Sequence, residues 1–320
     1  MQTWTCTQPG NFELQETEMP PRTSGYSLLN VRAIGICGTD IHAFAGNQPF
    51  FQYPRILGHE LALEVVESES FVAGELVTII PYFNCETCDA CQQAKPNCCE
   101  KIQVFGVHID GGMREYISVE DRFILPGNGL SAEELALVEP LSIAAHGVRR
   151  GKIQAGEKVL VMGAGPIGLF TILMAKIQGA EVEVSEPNAA RLAFCEAHLD
   201  VNAATQTSYQ TVIDATGNKV AIESGFAKIA HGGQYILIGL QKESISFVHP
   251  EFHKREATLM SSRNATIEDF HYVMDLLRTQ KIDLKPFISH RMDWLEVGNE
   301  FQTIHEPARK IIKAIIQAKN

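Results

Sequence analysis

Between Lys158 and Gln178 a pentapeptide, Lys158–Met162, apolar after its lysine, runs through Gly163-Ala164-Gly165-Pro166-Ile167-Gly168 into an apolar segment. A buried strand, a tight turn and a helix are the reading that suits it. Gly163 permits the turn, Gly165 lets the backbone approach a pyrophosphate, and Gly168 packs the helix on the strand. The helix start then offers free N–H groups to phosphates. Glu186, 18 residues beyond Gly168, follows the next strand-like run, Val182–Val184. A carboxylate there accepts from a ribose 2′-hydroxyl and repels a 2′-phosphate, which favours NAD over NADP. The uncharged stretch Val159–Ala175 is broken by Gly163, Gly165, Pro166 and Gly168, so it reads against a membrane span.

The motif sits in a longer alternation. Further strands are expected at Thr211–Asp214 and Tyr235–Gly239, with helices near Ala189–Ala197 and Val220–Ile229, which implies a parallel sheet wound on both faces. The earlier chain is different: short β-like runs such as Leu28–Ile34 and Leu61–Val66 alternate with Gly/Pro punctuation, as in an irregular all-β or barrel-like unit. Thr266–Arg278 reads as an amphipathic helix and Lys310–Ile316 as a strand. We expect a catalytic domain over 1–140 with a lobe at 84–100, a nucleotide domain over 141–261, and a return to the first domain over 262–320.

The lobe carries Cys85-x2-Cys88-x2-Cys91-x7-Cys99, the spacing of a structural zinc site that orders a polar segment. Cys98 is an alternative fourth ligand, and an iron–sulfur cluster an alternative cargo; Cys6 and Cys195 read as ordinary thiols. The N-terminus, Met1–Gly10, lacks a basic-then-apolar leader, so the eight cysteines are expected in the cytoplasm, where clustered thiols bind metal more often than they pair. A net charge of −11 from 27 basic and 38 acidic residues argues against nucleic acid as a partner. Roughly twenty residues separate Cys37-Gly38-Thr39-Asp40-Ile41-His42 from Gly58-His59-Glu60; together these supply a thiolate, an imidazole and carboxylates suited to a zinc with an open position.

With the two zinc motifs and the glycine-rich turn in this order, nearly the whole chain resembles the zinc-dependent medium-chain dehydrogenases. Val138-Glu139-Pro140-Leu141-Ser142 is similar to the polyol branch, with Glu139 where alcohol dehydrogenases place a third zinc cysteine. Within it, Gly46–Phe51, Gly106–Gly112 and Ser262–Thr266 resemble enzymes of L-galactonate-like sugar acids. The resemblance implies a GroES-like β-rich catalytic domain and a Rossmann coenzyme domain. It implies catalytic zinc on Cys37 and His59, with Glu60 or Glu139 as the carboxylate ligand, directly or through water. Asp40 would orient the zinc histidine, Thr39 take the substrate proton and His42 relay it. On the cofactor side it implies Gly163, Gly165, Pro166, Ile167, Gly168, Glu186, Arg191, Gly239, Arg263 and Lys313. The activity implied is NAD-linked oxidation of a secondary alcohol on a sugar acid or polyol, by a homodimer or homotetramer. Alternatives are a sorbitol-like or threonine-like dehydrogenase, a non-catalytic nucleotide-binding relative, or a zinc-binding interaction module. Two departures stand out: the turn Glu69–Glu75 is short, and Phe194–Asp214 has room for little more than one strand and loops, which bears on cofactor affinity.

Overall fold

In a computed structural model, which describes residues 1–21, 23–48, 51–304, 306 and 309–318, the chain divides into two compact units. One comprises Met1–Glu139 with Thr266–Asn320, the other Pro140–Ala265. Pro49 and Phe50 of the string Gly46–Phe51 lie outside the described residues.

The first unit is built on a mixed sheet of seven strands among the described residues. Its spine is Tyr26–Gly35 against Glu60–Glu67, antiparallel, with Gly35 opposite Glu60. Tyr26–Gly35 also pairs with Tyr116–Glu120 and with Lys313–Gln317, so the chain's last strand closes onto one of its first. Val31, Ala33 and Ile34 are buried, as are Leu61, Leu63 and Val65. The N-terminal hairpin, Gln2–Gln8 with Asn11–Glu16, brings Phe12 onto Phe44 and Phe301 at ring separations of 5.3 and 4.9 Å.

The second unit holds a parallel five-stranded sheet in the order 181–185, 158–162, 209–214, 229–237, 258–261. From Lys158–Met162 the chain first adds a strand on one side and then returns to add the rest on the other. Right-handed crossovers in opposite directions place helices on both faces, as expected, and the reversal falls where the glycine-rich turn leaves the first strand. The core packs Leu160, Met162, Tyr209, Val212, Ile222, Phe226, Ile229 and Tyr235. Among the described residues no helix is long and apolar enough to cross a membrane; the uncharged run becomes the strand 158–162 and the helix Pro166–Ile177.

Three elements differ from expectation. The helix expected over Val220–Ile229 is Lys219–Gly225 followed by a 3-10 turn, because Ile229 is drawn into the sheet opposite Tyr209. The strand expected at Tyr235–Gly239 starts at Ile229 and ends at Leu237, with residues between Ile229 and Gln234 looped out of register. The last strand begins at Lys313, since Lys310 has a φ of 50° that extended pairing does not allow.

Candidate active site

Cys37 is the N-cap of the short helix Gly38–Phe44, at the end of the strand that closes with Gly35. His59 and Glu60 enter the neighbouring strand, Glu60–Glu67. Asp40, 1% exposed, ties the two segments: its Oδ2 accepts from Cys37 N at 2.9 Å and its Oδ1 from Gly58 N at 3.2 Å. The carboxylate therefore fixes the spacing of two side chains whose residues lie far apart in the chain. The His59 ring lies beside the Cys37 thiol, and among the described residues its Nδ1 has no hydrogen-bond partner and lies 3.8 Å from Asp40 Oδ1. Donor atoms of Cys37, His59 and Glu60 all lie within 4.8 Å of one another. Glu139 does not join that trio. Its Oε1 accepts a short hydrogen bond from the Tyr82 hydroxyl.

Glu60 is fully buried and packs over Gly35, where an added Cβ would stand 2.0 Å from its Oε2. Lys313, expected near the cofactor or substrate, is itself 2% exposed and committed to this carboxylate: its Nζ lies 2.6 Å from Oε1 and 2.5 Å from Oε2, and donates to Ile36 O at 2.8 Å. Burial and the Glu60 charge push Glu139 up to about 7, against His59, Tyr82 and Lys313, which pull it down. Burial opposes a charged His59 ring, yet the charges of Asp40, Cys37 and Glu139 raise it well above its ordinary value. One imidazole and one ammonium thus face a thiol and three buried carboxylates. Buried acids in this number are satisfied by coordinating a cation, so the donor set fits a divalent metal.

Thr39 and His42 lie three residues apart on the same helix, hence on one face; Thr39 is half-buried and His42 exposed.

In the lobe, Cys85, Cys88, Cys91 and Cys99 bring their sulfurs within 4.8 Å of one another. The Cys88–Cys91 and Cys88–Cys99 separations are 3.5 and 3.9 Å. A tetrahedron of 2.3 Å zinc–sulfur bonds has edges of about 3.8 Å, so the cluster fits that ion. Cys98 points to solvent and stays outside the group, whereas Cys99 is 1% exposed. Hydrogen bonds from Thr87 pull Cys85 down to about 6, a thiolate at neutral pH, while burial pushes Cys99 up to about 11.

At the glycine-rich turn, Gly163 has a φ of 92° and Gly168 has no room for a side chain, its Cβ position being 2.0 Å from Gly163 O. Gly165 is different: nothing lies within 4 Å of its Cβ position. The protein itself does not demand glycine there, and the open space fits the approach of a ligand. Pro166 and Ile167 form the first turn of the helix. Glu186 spans from strand end to turn, accepting from Ala164 N at 2.7 Å and from Asn188 N at 2.8 Å. Four lone-pair positions on a carboxylate leave capacity for a ribose hydroxyl. Arg191 and Arg263 are exposed, and Gly239 abuts Gly217 and Asp214. Tyr82 and the pairing of Lys313 with Glu60 went unforeseen, since each joins residues distant in sequence with no local pattern to mark them.

Residues 23–129 match the alcohol dehydrogenase GroES-like domain, and residues 166–279 match the zinc-binding dehydrogenase family. The chain is 42% identical to the L-galactonate-5-dehydrogenase of Escherichia coli strain K12, covering 97% of each chain. It is 30% identical to a 2-dehydro-3-deoxy-L-galactonate 5-dehydrogenase of Pseudoalteromonas atlantica over 91% of each. An alcohol dehydrogenase from Escherichia coli CFT073, crystallised with NADH, superposes with a TM-score of 0.91 at 26% identity, covering 99% of both chains. With both domains matched and relatives aligned along almost their full length, the chain belongs to the zinc-dependent medium-chain alcohol dehydrogenases.

Proposed function

We propose that the protein oxidises a secondary alcohol of an L-galactonate-like sugar acid with NAD as acceptor. The observation that carries this reading is the convergence of donor atoms from Cys37, His59 and Glu60, with the buried Glu139 carboxylate close enough for its charge to interact with His59 and Glu60. Cys37 and His59 would hold catalytic zinc with a carboxylate from Glu60 or Glu139, and the four lobe cysteines a structural zinc. Zinc when bound supplies Lewis acidity that lowers the pKa of an alcohol, and NAD supplies the hydride acceptor. The residues do the rest. Asp40, whose Oδ1 lies 3.8 Å from Nδ1 of His59, would orient that ring. Thr39 accepts the proton of the substrate hydroxyl, and His42, exposed one turn further on, passes it to solvent. Gly163, Gly165, Pro166, Ile167 and Gly168 cradle the pyrophosphate. Glu186 takes the ribose hydroxyls, and Arg191, Gly239 and Arg263 complete the cofactor side. Lys313 holds Glu60.

A homodimer or homotetramer is supported by the open outer edge of Thr258–Ser261, whose residues are exposed or half-buried. Eight free thiols support a reducing, cytoplasmic setting. The test is the initial rate of NAD reduction on L-galactonate, other aldonates, sorbitol, xylitol and L-threonine, with NADP as control. Preference for L-galactonate with NAD supports the reading. Turnover of free polyols or L-threonine alone overturns the substrate assignment, and full turnover by Cys37→Ala overturns the metal assignment.

A further inference from the structure

Two arginines flank the backbone pairing that leads into His59. Gly111, Gly112 and Met113 donate from their nitrogens to the carbonyls of Ile56, Gly58 and Leu57 at 2.8, 2.8 and 2.9 Å. Arg55 comes just before this pairing in the chain and Arg114 just after it. Both are pinned by the strand Gln2–Gln8, where Cys6 bridges Arg55 and Thr3 bridges Arg114. The two side chains share one carboxylate unequally. Asp110 Oδ1 accepts from Arg55 Nη1 at 3.3 Å and from Ile56 N at 3.2 Å. Arg114 has no such contact: among the described residues its side chain makes no hydrogen bond or ion pair, and its Nε is closed off from water. Burial lowers its pKa below the ordinary value, and the charge of Asp110 only partly offsets this.

Two guanidiniums against one carboxylate leave a positive charge in surplus, and it falls on a half-buried side chain with no acceptor. A buried donor left unpaired is costly, so the arrangement fits an anion that arrives from outside. The planar fork of a guanidinium matches a carboxylate in two parallel hydrogen bonds. Position ties this to the chemistry. Met113, directly before Arg114, abuts Gly58, where an added Cβ would stand 3.3 Å from the Met113 Cγ; Gly58 in turn precedes His59 and is bonded to Asp40. A sugar acid offers a carboxylate only a few bonds from the alcohol to be oxidised. We infer that Arg114 is the specificity-determining residue that receives the carboxylate of the sugar acid, with Arg55 holding Asp110 back from that place. The inference rests on the substrate reading proposed above.

The experiment compares initial rates of NAD reduction on L-galactonate and on L-galactonamide, which keeps the carbons and hydroxyls and lacks the charge. The variants are Arg114→Gln and Arg114→Lys. In the parent the acid should have the lower KM by roughly 10- to 100-fold. Arg114→Gln should raise the KM of the acid by about that factor and leave the KM of the amide unchanged, so that the ratio approaches one. Arg114→Lys, which keeps the charge and loses the fork, should fall between. Binding is read separately as the rise in melting temperature that L-galactonate gives the protein with NADH bound. That rise should shrink in Arg114→Gln, while the rise due to NADH stays. A merely structural arginine would lower the melting temperature without ligand and impair acid and amide alike, and that result overturns the assignment. An acid-to-amide ratio in Arg114→Gln equal to the parent's overturns it too. Should Arg114→Gln fail to fold, the other two proteins decide: equal KM values for acid and amide in the parent, or an Arg114→Lys protein that matches the parent, overturn it. If the parent acts on free polyols or L-threonine alone, the substrate reading falls and this inference with it.

Discussion

Replacing Lys313 with methionine tests how the two units of charge at the base of the site are balanced. The ammonium is 2% exposed and makes three contacts, at 2.5 and 2.6 Å to the Glu60 oxygens and 2.8 Å to the Ile36 carbonyl. Methionine keeps the length of the stem and its packing but leaves the Glu60 carboxylate, fully buried, without its cation. Removing one partner of a buried pair costs about 3–5 kcal/mol, because the stranded charge can no longer return to water. For a unit of this size each kcal/mol lowers the midpoint by roughly 2–4 °C, so the loss should be roughly 6–20 °C. The assay is thermal unfolding of the purified protein followed by near-ultraviolet circular dichroism at a fixed scan rate. Adding Glu60→Gln should recover most of the loss, since removing both charges is far cheaper than removing one. A drop of less than about 1 kcal/mol, roughly 2–4 °C, or a double variant no better than the single one, would show that Glu60 is compensated by something other than Lys313.

Three more outcomes follow from the geometry. Cys88→Ser should lower bound zinc from about two to about one per chain and cut thermal stability before catalysis; elemental analysis showing two would remove the lobe as a zinc site. Glu186→Ala should raise the NAD KM roughly tenfold and narrow the NAD-over-NADP preference; an unchanged ratio of kcat/KM values would refute the ribose role. Glu183 is held down at about 2, where hydrogen bonds from Tyr209, Thr205 and Gln206 outweigh the burial that would raise it. Its folded pKa lies below the ordinary 4.5, so its stabilisation is complete above that value and is lost as pH falls toward 2. Glu183→Gln should therefore lose less stability than the parent between about pH 6 and about pH 3, and parallel melting curves would rule the contribution out.

What could be read from the chain divides by distance along it. The glycine-rich turn is local: strand, turn and helix are contiguous, and each glycine answers a constraint within a few residues. The cysteine lobe is local too, and its spacing predicted four converging sulfurs, although only the folded geometry, in which the Cys99 sulfur joins the cluster and Cys98 is exposed, separates Cys99 from Cys98. Cys37 and His59 come together through Asp40, three residues from one and nineteen from the other. That junction was legible only because the motif containing Asp40 resembles a known one. The pairings of Tyr82 with Glu139 and Lys313 with Glu60 span 57 and 253 residues. They depend on which strands become neighbours, and no periodicity records that.

The shortened stretch after Phe194 shows the same limit from the other side. Its brevity was plain in the sequence, but not what replaces the missing structure. Ala203 makes a single bridge to Val184 where another strand could lie, and Glu183 then gathers Thr205, Gln206 and Tyr209 onto one carboxylate. A loop that would otherwise expose its backbone is thus tied to the strand Glu181–Ser185, immediately before Glu186. The trim and the ribose carboxylate share one strand. Loss of the Glu183 ties should accordingly loosen the segment that presents Glu186, and Glu183→Ala should weaken NAD binding, measured by fluorescence titration of NADH, without changing zinc content. An unchanged NADH affinity would mean that the strand is held by its pairing with Lys158–Met162 alone.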